Sequence, residues 1–286
     1  MELVNNANRL TIKETIVITE VITEVITEVT DGIAVWRMNR VDTRNAITDN
    51  KMIDDLVSLA EQAQKDSQIR VIILTGNGPA FSSGGNVKKI RAEMTESDKT
   101  PHELATWYRE GIQRIPRAFQ ALDVPIIAAV NGPAIGAGCD LTCMCDMRIA
   151  AESARFAESF VKLGIIPGDG GSWLLPRAVG LAKASEMAFT GDPIDAQEAL
   201  KFGLVSKVVA DDKLIDEAMA LAKRIAVNPP VSVRMTKQLI REGQQTDLDT
   251  HLQTAAVMQA VSHRTDDHRE AMNAIFDKRQ GEFKGR

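Results

Sequence analysis

The sequence predicts an α/β fold, and three observations carry that prediction. Short β-branched apolar runs recur as VIILTG at 71–76, PIIAAVNG at 125–132 and MRIAAE at 147–152. Between them lie stretches with the three-to-four-residue apolar spacing of amphipathic helices. Two of the runs lead into turns of small residues that open a helix, a grammar that suits a sheet covered by helices.

The first patterned segment, residues 16–29, reads IVITEVITEVITEV, a threefold repeat of Ile-Thr-Glu-Val. Its β-branched residues favour extended backbone, yet the repeat cannot keep one clean buried face at the strand period of two. Residues 1–22 are therefore set apart as an extension to which no order is assigned. From Thr30 the pattern becomes regular, with a strand in GIAVWRMN at 32–39, a helix over 49–66 and the buried strand at 71–76. The same rhythm predicts a helix over 102–121, a strand at 125–132, a helix over 137–145, a strand at 147–152 and a helix over 170–179.

Beyond about residue 211 helix formers take over, with Asp211-Asp212 as a start signal and Pro229-Pro230 as a break between helices. The expected organisation is thus an N-terminal extension at 1–22, a core at 23–210 and a helical C-terminal region at 211–286. Helices too few to bury all their apolar faces alone are expected to pack on the core or on a neighbouring subunit.

Composition narrows the classes of function. With 286 residues, 44% of them hydrophobic, the chain can build a sizeable core without staples. A net charge of −5 gives no whole-protein basic surface for nucleic acid. No apolar run approaches the roughly 20 residues of a membrane-spanning helix, and Glu2 stands where an export signal carries positive charge. A cytoplasmic protein without nucleic-acid or membrane partners is expected. Cys139, Cys143 and Cys145 invite a metal reading, but there is no CxxC and the four histidines are remote in sequence. Buried small hydrophobes are the better account, and no metal site is assigned.

Two segments repeat the strand, small turn and helix: VIILTGNGPAFSSGGNVKKI and PIIAAVNGPAIGAGCDLTCMCD. Neither fits a dinucleotide fingerprint or a P-loop. Small residues at a helix start do leave backbone N–H groups bare beside the positive end of the helix dipole. Two such turns meeting over one atom form an oxyanion hole; taken singly, each needs no more explanation than a tight turn.

FSSGGNVKKI, PAIGAGCDLTCMCDMRIAAESARFAES and KLGIIPGDGGSWLLPRAVG, in this order, resemble the crotonase or enoyl-CoA hydratase/isomerase family. The resemblance runs from about Thr30 through FTGDPIDAQEALKFGLVSKVV to DKRQGEFKGR. It implies a crotonase-like spiral of repeated ββα units with a C-terminal helical region, assembled as a homotrimer or a hexamer. It also implies an acyl-CoA thioester substrate, with coenzyme A as part of that substrate and no separate cofactor. The oxyanion donors it points to are the N–H groups of Gly85 and Ala137.

Hydratases of that family hold water between two glutamates. At the first position this sequence has Asp140; at the second it has Phe160, which cannot move a proton. The replacements available are Asp169 in PGDGG, on a loop similar to the acidic loop of family isomerases and β-diketone hydrolases, and Glu158, read mainly as a surface or structural residue. Asp140 could equally be a first-turn carboxylate favoured by the helix dipole, and Asp169 a turn former. Asp146 is expected to be structural.

For coenzyme A the resemblance points to Arg44, Lys88 and Lys278, each of which could also be a solvated surface charge. Phe160 and Trp107, with Tyr108, are expected to wall the acyl pocket, although aromatics at helical spacing also serve cores. Three functions therefore stand at this point: an enoyl-CoA hydratase or isomerase, a β-diketone carbon–carbon hydrolase of the same family, and a non-catalytic relative binding CoA esters or RNA.

Overall fold

The structure, a computed structural model, describes residues 23–47 and 50–286; the segment 1–22 lies outside them. Strand β1 (Val25–Thr30) pairs antiparallel with β2 (Ile33–Met38) across Asp31-Gly32. Both turn residues have positive φ, 52° and 76°, the backbone a two-residue hairpin turn requires and Asp-Gly supplies. Only Val25 of β1 is buried, in keeping with an edge strand whose repeat favours neither face. The helix predicted over 49–66 is α1 (Asn50–Lys65), which buries Met52, Ile53, Leu56, Val57, Ala60 and Ala63 along one stripe.

After α1 the chain winds through three ββα turns of the expected spiral. Strand β3 (Val71–Gly76) is followed by Ser82, then by the short helix α2 (Val87–Ile90). Helices α3 (Pro101–Glu110) and α4 (Arg114–Ala121) lead to β4 (Ile126–Val130), β5 (Ala134–Ile135) and α5 (Ala137–Met144). The third turn is β6 (Met147–Ala151), β7 (Arg155–Ala157), a 3₁₀ turn and α6 (Gly171–Val179). Helix α7 (Leu181–Thr190), strand β8 (Ile194–Asp195), α8 (Ala196–Lys201) and β9 (Lys207–Val209) follow.

The first strand of each turn joins a six-stranded sheet of order β1-β2-β3-β4-β6-β9, parallel from β2 onward. The second strands form a smaller sheet, β5-β7-β8, which Ser82 joins through a parallel bridge to Ala134. β3 and β4 are buried throughout, as expected of parallel strands covered on both faces and written as continuous apolar runs. Residues alternate between the faces: Ile72, Leu74 and Ala128 meet α1, α4 and α5, while Ile73, Ile127 and Ile149 meet Leu214, Ala218 and Ala222. Those last three lie on α9 (Leu214–Ala226), and the alanines let its backbone approach the sheet closely.

The single helix predicted over 102–121 is two. Helix α3 ends where Gly111 donates to the Trp107 carbonyl and leaves helical geometry, and α4 restarts at Arg114; glycine makes the break cheap. After α9 the Pro229-Pro230 break holds, and α10 (Pro230–Glu242), α11 (Leu248–Ser262) and α12 (Asp266–Phe276) complete the chain.

Asp146 has the structural role expected of it. Its carboxylate accepts from Ile126 N at 2.8 Å, Lys237 Nζ at 2.7 Å and Arg241 Nη2 at 2.9 Å, tying α10 to the start of β4. Lys237 is only 6% exposed. Asp146→Asn leaves that ammonium buried without its counter-charge and is expected to cost about 3 kcal/mol of stability, measured by urea unfolding.

Candidate active site

The two glycine-rich turns sit at equivalent places in successive turns of the spiral. Ser82 is bridged to Ala134, and Gly85 and Ala137 each lie three residues further on. Gly84, at φ 76°, packs so closely that a Cβ there would stand 2.2 Å from the Ile135 carbonyl and 3.1 Å from the Ala137 nitrogen. The turns are therefore in direct contact, and glycine is obligatory at 84.

Both peptides are held so that their N–H groups face one cavity. The Gly84 carbonyl accepts from Ile47 N at 2.8 Å, and Ser83 N donates to the Arg44 carbonyl at 2.8 Å. In a trans peptide the following N–H, that of Gly85, points the opposite way from the Gly84 carbonyl. Likewise the Gly136 carbonyl accepts from Asp140 N at 3.0 Å inside α5, which turns the Ala137 N–H out of the helix. Gly136 itself has φ 53° and ψ −121°, a conformation glycine adopts without strain. Neither Gly85 N–H nor Ala137 N–H has an acceptor among the described residues, and both residues line a cavity of about 220 Å³.

That cavity is apolar over most of its wall. Ile53, Val87, Ile90, Trp107, Phe160 and Leu163 contribute side chains to it. Trp107 and Tyr108 meet edge to face, ring centroids 5.3 Å apart, and the Phe160 ring lies against Gly136, beside the second glycine-rich turn. Lys162 also lines the cavity, but its ammonium is 2.7 Å from Asp192.

Asp169 is the carboxylate of the cavity wall. Its loop is held by Gln113 Nε2, which donates to the Gly168 carbonyl at 2.8 Å, and by the Tyr108 ring packed on Gly168. The Gly111 break thus matters here, since residues on both sides of it grip this loop. Asp140, one turn into α5, does not line the cavity; it sits behind Asp169, fully buried, its carboxyl pressed against Gly171. A Cβ at 171 would stand 2.0 Å from Asp140 Oδ1, a reason for the last glycine of PGDGG that the sequence alone does not reveal.

Glu158 corrects the surface reading. It is 1% exposed, and its carboxyl, like that of Asp169, is near enough to Asp140 to act on that carboxyl's ionisation. The strand does not alternate here: Arg155 is exposed, but Phe156, Ala157 and Glu158 are enclosed in succession, and Glu158 shares a cavity with residues of α6 and α7. Burial, then the charges of Asp169 and Glu158, push the Asp140 carboxyl well above the usual carboxylate range. Burial likewise raises Asp169 and Glu158. Three carboxyls this close cannot all be ionised.

Arg44 and Lys88 are exposed on the loop and helix that flank the first turn, Lys278 is exposed near the C-terminus, and none of the three lines the cavity. The three cysteines are buried in α5 and the residue after it.

The profile of the enoyl-CoA hydratase/isomerase family matches residues 28–286. The chain belongs to that family. The 2,3-dehydroadipyl-CoA hydratase of Escherichia coli is 37% identical over 249 residues, 87% of this chain and 94% of that protein. The 1,2-epoxyphenylacetyl-CoA isomerase of the same organism is 34% identical over 256 residues, 89% of this chain and 96% of that one. Among solved structures, an enoyl-CoA hydratase from Bacillus anthracis superposes with a TM-score of 0.86 at 34% identity, covering 92% of this chain and all of that one. The fold is therefore the crotonase spiral, and the protein is an enzyme of hydratase/isomerase type acting on acyl-CoA. No helix of the described residues is long and apolar enough to cross a membrane.

Proposed function

We propose that this member of the family isomerises the double bond of an enoyl-CoA ester, with Asp169 as the proton-transferring base. The observation that carries this reading is that a single carboxylate, Asp169, reaches the acyl cavity, while Phe160 fills the place where family hydratases carry their second glutamate. Adding water needs one group to hold it and another to move its proton. Shifting a double bond needs one base that removes a proton from one carbon and returns it to another.

In this mechanism the thioester oxygen lies between the N–H groups of Gly85 and Ala137. Asp169 takes a proton from the acyl chain, and the negative charge spreads onto that oxygen, where the two donors stabilise it. Asp169 then delivers a proton to the far carbon of the allylic system, and the charge leaves the oxygen. Phe160, Leu163 and Trp107 exclude the water that would compete for the enolate. No cofactor is needed beyond the coenzyme A of the substrate. Arg44 and Lys88 suit the anionic coenzyme at the cavity mouth, and Lys278 fits that task from a neighbouring subunit of a homotrimer or hexamer. A cytoplasmic place in fatty acid or related acyl-CoA metabolism accords with this chemistry.

A panel of enoyl-CoA esters followed by mass spectrometry tests the assignment. An isobaric shift is the expected result; gain of one water marks a hydratase, and cleavage a hydrolase. Because Lys162 is paired with Asp192 and Asp169 faces the same space, an acyl chain ending in a carboxylate finds no unpaired cation there. Its kcat/KM is expected to be about 10- to 100-fold below that of an apolar chain of equal length.

A further inference from the structure

The acyl cavity is not the only opening onto the buried carboxyls. A second cavity, of about 160 Å³, lies between the end of β7, α6 and α7, lined by Glu158, Gly171, Leu175, Ala184 and Ser185 among others. Its rim carries Leu181 and Phe189, both more than 70% exposed. Asp169 lines the first cavity and not the second; Glu158 lines the second and not the first. Asp140 lines neither and stands between them, against Gly171.

Both oxygens of Asp140, both of Glu158 and Oδ1 of Asp169 are buried without a hydrogen-bond partner of ordinary geometry among the described residues, and the group beside Glu158 other than these carboxyls is the Cys139 thiol, a weak donor. A proton held between two carboxyls satisfies an oxygen on each of them. Such an arrangement is costly, and chemistry confined to Asp169 has no use for it. We infer that Asp169, Asp140 and Glu158 form a proton relay joining the acyl cavity to the second cavity, with Glu158 as its outer, positioning member. The inference rests on the isomerase reading of the same site.

At rest Asp140 carries the shared proton, with Asp169 and Glu158 as acceptors on either side. When Asp169 takes a proton from the acyl chain, Asp140 passes its own to Glu158 and accepts the one on Asp169. Glu158 then gives a proton to water in the second cavity. One proton enters and one leaves; no bond to carbon, oxygen or sulfur changes beyond those O–H bonds. Run in reverse, the relay delivers a solvent proton to the far carbon.

The test is isomerisation in D₂O by the full-length enzyme, with product deuterium counted per turnover so that a slower variant reads on the same scale. Wild type is expected to incorporate solvent deuterium in most turnovers. Glu158→Gln is expected to cut incorporation at least about fivefold, because the proton held on Asp169 is returned, and Glu158→Asp to restore most of it. Wild-type incorporation in Glu158→Gln, or none in wild type, overturns the relay. An independent measurement needs no turnover: the infrared carbonyl band of the buried protonated carboxyl shifts when ligand-free protein enters D₂O. That shift is expected to be about tenfold slower in Glu158→Gln, and an unchanged rate refutes the relay. If the band behaves as expected but no ester is isomerised, the relay stands and the isomerase reading fails.

Discussion

Asp169→Asn is expected to lower turnover of an apolar enoyl-CoA ester about 100- to 10,000-fold, the range for loss of a positioned proton acceptor. The amide keeps the shape of the side chain and the loop that Gln113 and Tyr108 hold, so affinity for a CoA ester should change little. In wild type the base works only when ionised, and burial raises its carboxyl. The acid limb of the rate should therefore lie above the ordinary carboxylate value of about 4, and activity should rise with pH through that raised range. Asp140 supplies the contrasting variant. Its raised carboxyl means that the folded chain binds a proton the unfolded chain has released, so this group's contribution to stability falls as pH rises from about 4 through the raised pKa. Asp140→Asn removes that loss and offers an N–H donor to Asp169 and Glu158. It should stabilise the fold by about 1 kcal/mol at neutral pH while lowering turnover about tenfold. A thermal melt beside a rate assay reads both, and a destabilised Asp140→Asn variant would contradict the carboxyl cluster.

The sheet strands and most helices were legible in the sequence because a parallel sheet writes itself as uninterrupted apolar runs, and helices α1 and α9 as stripes. The break at Gly111 was not, since one glycine among good helix formers reads equally well as a tolerated interior residue. At the site, the paired turns were legible as backbone chemistry: small residues at two helix starts announce free N–H groups wherever the helices lie. The burial of Glu158 was not, because a glutamate between Ala157 and Ser159 carries no local sign of it; residues of α6 and α7, distant in sequence, stand around it. Gly171 was hidden for the same reason, its role being to leave room for a side chain 31 positions earlier. Features that lie in a residue's own backbone can be read along the chain, and those that depend on a distant neighbour need the fold.

Ala137→Pro isolates the oxyanion hole from everything else at the site. Ala137 is the first residue of α5, where the helix makes no use of the N–H, and proline is well tolerated at that position. The residue before it, Gly136, already holds an extended-side ψ of −121°, away from the helical conformation that a following proline disfavours. The substitution should thus leave the fold intact, as circular dichroism would verify, while deleting one of the two donors and placing a ring carbon where the thioester oxygen binds. Loss of one such donor costs about 100- to 1000-fold in rate, and the ring should bring the result to the upper end. Affinity for free coenzyme A, which under the proposed reading depends on charges outside the cavity such as Arg44 and Lys88, is expected to persist in calorimetry. Full activity in a folded Ala137→Pro protein would mean that the Ala137 N–H is not an oxyanion donor. A loss of coenzyme A binding equal to the loss of rate would mean that the second turn shapes the binding surface and does not act on the charge of the enolate.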